Sequence, residues 1–177
     1  MRDIKIAISG KSGCGNTTIS KMVAEKLGLT FINFTFRTLA QEQGISLKEV
    51  LDRAAQDDSW DKEVDTRQVQ LARESKGCVL GSRLAIWMLD EADVKVFLTA
   101  SAETRAARIV KREGGSLEAI AAFTAERDRQ DRSRYLRIYN IDNDNHQFAD
   151  IIIDTDNLSP DEIAGLIIKK AQECNGH

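Results

Sequence analysis

The sequence is short of several things, and each shortage excludes a class of protein. Of 177 residues one is proline and eleven are glycine. That rules out a collagen-like or linker-rich chain. The three cysteines, Cys14, Cys78 and Cys174, are widely spaced and odd in number. They make neither a disulfide framework nor a zinc ligand set, and they point to a reducing, cytoplasmic setting. Neither sign of charge dominates: 25 Lys and Arg stand against 28 Asp and Glu. A general nucleic-acid binder would show a strong basic excess, so no nucleic acid is expected as a partner. No apolar run approaches the ~20 residues of a membrane span, so no membrane is expected either. The first ten residues pass straight into a strand pattern, without a charged segment leading into a long apolar one. No signal peptide is expected there. What is present is 42% apolar content in a length suited to one domain with its own core.

Strand-like and helix-like runs alternate. Ile4–Ser9 is short, apolar and β-branched. In Thr17–Leu27, Ile19, Met22, Val23 and Leu27 share a helix face, and Gly28 supplies the stop. A second strand is expected over Thr30–Phe34. Helical runs follow at Arg37–Gln43, Ser46–Gln56 and Trp60–Ser75. Cys78–Gly81 and Val94–Leu98 read as buried strands. Ser101 caps a helix over Ala102–Glu113, Gly114-Gly115 breaks it, and Ser116–Ile138 is a long polar helix. Ile151–Asp154 is a last strand, and Ser159-Pro160 opens a terminal helix as N-cap and first helical residue. Such alternation predicts an α/β fold whose mainly parallel sheet is covered by helices on both faces. The strandless span 37–75 reads as an insertion.

The strongest local signal is Gly10-Lys11-Ser12-Gly13-Cys14-Gly15-Asn16-Thr17-Thr18. It follows a predicted strand and opens a predicted helix, the context a phosphate-binding P-loop requires. Its glycines let backbone N–H groups turn inward, and the helix N-terminus favours an anion. Thr17 stands where the pattern G-x-x-x-x-G-K-[ST] places a magnesium ligand. One position departs: Asn16 replaces the lysine that reaches the terminal phosphates. Lys11, second in the loop, or a lid arginine is the candidate for the missing charge. Asn16 also leaves open a nucleotide-binding module with little transfer activity. Cys14 lies where a helix N-terminus can depress a thiol pKa, but a small residue filling a tight turn is the favoured reading.

An acceptor that is itself anionic needs arginines. Arg37 follows the second strand, and Arg83, preceded by Ser82, follows the third. Ligands of parallel sheets collect outside these carboxyl ends. In the run Glu126–Tyr135, Arg127, Asp131 and Arg134 fall at i, i+4 and i+7 and share one helix face. Two arginines around a carboxylate suit a phosphate and a sugar hydroxyl together. Asp61, Asp65 and Arg67 either touch a base or form an exposed helix face. Phe31, Phe34 and Phe36 are expected in the core, and Trp60, Trp87 and Tyr139 as packing. His146 and His177 sit in polar stretches, are expected to be exposed, and carry no role.

With these motifs in order, the chain resembles cytidylate kinases of the short, archaeal-type branch. Glu91–Ser101 with Glu103 and Arg105-Ala106 resembles the family's fourth-strand segment. Arg127-Asp128, Asp131-Arg132 and Arg134 resemble its acceptor and lid segment, and Asp150–Thr155 with Leu158-Ser159 its final strand and helix start. The resemblance implies a single P-loop kinase domain with a five-stranded parallel sheet, an acceptor-binding insertion at about 35–76 and a lid at about 108–139. It implies transfer of the ATP γ-phosphoryl to CMP or dCMP, with Mg²⁺ on Thr17. Gly10 to Thr18 would cradle ATP. Arg37, Ser82, Arg83, Arg127, Asp131 and Arg134 would hold the acceptor. Lys11, Arg108, Arg112 and Arg134 would supply charge to the transferring group, with Gly114-Gly115 as a hinge. A UMP, AMP or non-nucleotide acceptor stays open, and a monomer is expected because a closing lid works without a partner.

Overall fold

A computed structural model describes residues 3–175. Five strands, β1 (Lys5–Gly10), β2 (Thr30–Ile32), β3 (Cys78–Gly81), β4 (Val94–Thr99) and β5 (Ile151–Asp154), form one parallel sheet in the order β2-β3-β1-β4-β5. Both faces are covered, so the central strands are apolar almost throughout. Ile6, Ile8, Val79, Val96 and Leu98 pack beneath α1 (Asn16–Leu27) and α8 (Pro160–Asn175). On the other face Ala7, Leu80 and Phe97 meet α4 (Ser59–Glu74) and α5 (Ala85–Met88).

Between β2 and β3 lie α2 (Phe36–Gln43), α3 (Leu47–Ala54) and α4. Phe34, Leu39 and Val64 form a small core of their own there. A reciprocal Thr35–Thr38 capping box fixes the start of α2, and the Ser46 side chain caps α3. After β4 come α6 (Ala102–Glu113) and α7 (Leu117–Tyr139), capped by Ser101 and Ser116. Between them Gly114 and Gly115 take φ of 81° and 95°, a conformation L side chains rarely adopt. β2 is shorter than its sequence pattern, because Asn33 and Phe34 leave the sheet to enter the cleft wall. The four-residue α5 is too short to show a helical period and was not expected from the sequence.

β1 is central, with β3 on one side and β4 on the other. The chain leaves β1 at the point where strand order switches direction, which is where parallel sheets bind ligands.

Candidate active site

The carboxyl ends of β1 and β3 open into a cleft of about 430 Å³. Its floor is the loop Gly10–Gly15 and the start of α1. Gly13 and Gly15 hold φ of 82° and 86°. A Cβ on Gly13 would lie 2.8 Å from the Arg105 carbonyl oxygen, so only glycine fits there. Gly15 is the N-cap of α1, and no side chain caps that helix. The first-turn N–H groups of α1 therefore face the cleft without an intrahelical acceptor. No acidic residue lies in that turn. Unpaired donors at the positive end of a helix make an anion cradle.

Asn16 takes no part in that charge. Its Nδ2 donates to the Ile8 carbonyl at 3.0 Å, and its Oδ1 accepts from the Ser20 hydroxyl at 3.0 Å. The amide stitches α1 to β1. Across from it, a Cβ on Gly81 would lie 2.3 Å from Ser20 Oγ, so β3 must end in glycine to let α1 approach. Lys11 lines the cleft and pairs with Asp144 at 2.6 Å. Thr17 is exposed and lines the same cleft. Cys14 is 3% exposed, and burial pushes its thiol pKa up despite nearby Arg105 and Arg108. It is a packing residue and not a reactive thiolate.

Three arginines hold the loop. Arg83 donates to Ser12 Oγ at 2.6 Å and pairs through Nε with Asp131 at 3.2 Å. Arg105 donates to the Ser12 carbonyl at 2.7 Å and makes a bidentate pair with Asp128 at 2.8 and 2.9 Å. Arg108 donates to the Gly13 carbonyl at 3.1 Å and to Thr155 Oγ1 and O at 2.9 and 2.8 Å. Arg105 was named in the sequence only as part of the family-like fourth-strand segment, with no role assigned to it. A further hint was its place in the first turn of α6, four residues after the Ser101 cap.

The opposite wall comes from α4 and α7. Arg134 bonds Asp131 at 3.1 Å, while its buried Nε lacks a hydrogen bond and lies 3.6 Å from Asp61. Arg127 lines the cleft with no hydrogen-bond or ion-pair partner among the described residues. Burial and then Arg83 lower its pKa. Ser82 also lines the cleft. Arg112 lines it too, exposed and paired only with its neighbour Glu113. Arg37, in the first turn of α2, is exposed and not part of the lining.

Asp61, Asp65 and Gln68 on α4 line the cleft, whereas Arg67 pairs with Glu42 and sits 4.7 Å over the Phe34 ring. Tyr139 donates to Asp65 at 2.7 Å, tying the end of α7 to α4, so it does more than pack. Burial raises the Asp65 pKa to about 6 against the lowering effect of that bond. Phe34 is core and cleft wall together. His146 is not exposed as its polar surroundings suggested. Its ring stacks on Phe97 at 3.9 Å, part-buried beside the sheet. His177 lies outside the described residues.

Residues 5–157 match the model of the cytidylate kinase-like family. The chain belongs to that family. Among its curated relatives, a protein named cytidylate kinase 2 from Borreliella burgdorferi is 46% identical over 97% of both chains. A cytidylate kinase from Pyrococcus horikoshii is 41% identical over 92% of this chain and 85% of its own. Among solved structures, a shikimate kinase from Bacteroides thetaiotaomicron superposes with a TM-score of 0.65 at 16% identity, over 96% of this chain and 98% of its own. A deoxyadenosine kinase from M. mycoides superposes with a TM-score of 0.52 at 17% identity, over 96% and 100%. These likenesses confirm the five-stranded parallel P-loop kinase fold. In this cytidylate kinase-like protein one cleft joins the loop to the α4 and α7 wall. Among the described residues no helix is long and apolar enough to cross a membrane.

Proposed function

We propose that this cleft transfers the γ-phosphoryl group of ATP to CMP or dCMP, giving ADP and CDP or dCDP. One observation carries the reading: an uncapped helix N-terminus in a glycine loop shares a single cleft with Arg83, Arg127 and Arg134. A protein that only bound ATP would not need the second cationic wall. In phosphoryl transfer the protein mainly positions and neutralises. The acceptor phosphate already bears an ionised oxygen, so no general base is required.

Gly10 to Thr18 hold the donor phosphates through backbone N–H groups. The Thr17 hydroxyl has no hydrogen-bond partner among the described residues, lines the cleft, and so fits a Mg²⁺ ligand. Mg²⁺, when bound, neutralises charge between the donor phosphates. Lys11 supplies the side-chain charge that Asn16 does not. Arg127, Asp131 and Arg134 grip the phosphate and sugar of the acceptor, with Arg83 beside them and Ser82 next to its base. Asp65, fixed by Tyr139, accepts the exocyclic amine of cytosine, a donor that uracil replaces by a carbonyl. Arg112 is free to turn onto the phosphates as 108–139 closes, while Arg108 holds the Gly13 carbonyl. Arg37 meets the acceptor phosphate only if α2 moves inward.

ADP production with Mg-ATP and CMP, dCMP, UMP or AMP tests this, for wild type and Asn16→Lys. Turnover of CMP or dCMP by wild type is the expected result. Turnover of AMP alone, or of none of the four by either form, overturns it.

A further inference from the structure

Every cation of the cleft except Arg127 is already matched to a carboxylate. Arg83 and Arg134 share Asp131, and Arg112 takes Glu113. For Lys11 the partner comes from a connecting segment, whereas Asp131 and Glu113 lie on α7 and α6. Asp144 belongs to the segment joining α7 to β5 and is not a lining residue. Its Oδ1 lies 2.6 Å from Lys11 Nζ, and its Oδ2 lies 3.3 Å from Arg132 Nε. Arg132 also makes two 2.8 Å bonds to Asp142, whose Oδ1 accepts from the Asp144 backbone N–H at 3.1 Å. Asp144 is thus fixed from two sides, by a guanidinium of α7 and by its own turn. Lys11 ends a flexible four-carbon stem. Of the two partners, the lysine is the one able to move.

We infer that Asp144 withholds Lys11 from the donor site: it keeps the ammonium in an ion pair until donor phosphate displaces it. An ammonium has three donors and no fixed plane, so it can trade one oxyanion for another. Triphosphate carries more charge than one carboxylate, and the exchange runs toward the loop once ATP arrives. The pair therefore competes with ATP, and removing its negative partner strengthens ATP binding. This inference rests on the proposal that Lys11 serves the donor phosphates.

The test is direct binding of ATP and its KM in Asp144→Asn, Lys11→Ala and the double variant. Asp144→Asn is expected to tighten ATP by about two- to fivefold, the range an exposed ion pair supports. The gain shrinks at high salt, and it vanishes in the Lys11→Ala background. Unchanged or weaker ATP binding in Asp144→Asn overturns the inference, as does an equal gain with Lys11 removed. A fall in kcat at unchanged ATP affinity also overturns it, because Asp144 would then aim the lysine and not withhold it. If Lys11→Ala alone leaves ATP affinity and turnover untouched, the fault lies in the role given to Lys11 and not in Asp144.

Discussion

The two sides of the cleft are built by opposite means. The loop side uses backbone: glycines in left-handed conformations, an uncapped helix end, and arginines that grip the loop from behind. The α4 and α7 side uses long charged side chains, matched to Asp61 and Asp131. A backbone cradle is stiff and tolerates no Cβ, but it needs little net charge. A wall of arginines is adaptable, and each cation must be kept from collapsing or repelling its neighbours before the acceptor arrives. Asp131, only 6% exposed, does this for two arginines at once. The same contrast explains why Asn16 is tolerable. At the stiff side its amide joins α1 to β1, and the side-chain cations of the cleft are Lys11 and those of the far wall.

The contrast breaks most sharply at Gly13. Alanine there meets Arg105 backbone at 2.8 Å and a φ of 82°. Turnover should fall by at least ~100-fold, about 3 kcal/mol of lost transition-state stabilisation, and ATP binding and melting temperature should drop with it. On the adaptable side, Arg127→Ala removes a cation with no structural partner. The kcat/KM for CMP should fall by about 10- to 150-fold, the range for a hydrogen bond to a charged group. Melting temperature and ATP affinity should hold. A loss of stability in that variant would show Arg127 to be structural.

Thr17→Ala separates the two sides further. It should raise the Mg²⁺ concentration needed for half-maximal rate by about tenfold, one hydrogen-bond-sized contact, with CMP binding unaltered. Unchanged magnesium dependence would remove Thr17 from the metal's ligands.

The smallest effect is in pH. Burial, opposed by the Tyr139 bond and reinforced by Asp61, holds the Asp65 pKa up at about 6. A carboxyl with a raised folded-state pKa binds more protons folded than unfolded between the ordinary value of 3.8 and 6. Its contribution to stability therefore falls as pH rises through that window and stays low above it. The contact with cytosine proposed for Asp65 is strongest in the ionised form, so KM for CMP should fall a few-fold as pH rises past 6. Asp65→Asn should flatten both trends and narrow the preference for CMP over UMP. Melting curves and KM from pH 4.5 to 8 measure both, and an Asp65→Asn enzyme with the wild-type profile sinks the assignment.

Much of the frame was legible because it is local. The five strands, the span of α6 and the caps Ser101 and Ser116 follow from period, branching and turn chemistry over a few residues. The loop Gly10–Thr18 was legible because phosphate binding by backbone needs glycine at fixed spacing. Helix spacing and strand ends pointed to Arg83 and Arg127, which the structure places in the cleft lining, and to Asp131, which it places between Arg83 and Arg134. Arg37 is different: its place after β2 suggested the cleft, but α2 carries it outward. The sequence could not show that Arg105 and Arg108 grip Ser12 and Gly13, partners 93 and 95 positions apart in the chain. Nor could it show that His146 lies flat on Phe97.

The order of strands and helices, the glycine cradle and the supply of arginines were thus written in the sequence, because short-range sterics and hydrogen bonding impose them wherever the chain goes. Which carboxylate neutralises which cation, that Asn16 turns back to Ile8, and that Lys11 meets Asp144 were decided only when β1 became the centre of the sheet. Those partners lie on elements that meet only in the folded chain, and a charge's pairing depends on distance in space, which sequence spacing does not encode beyond a helix turn.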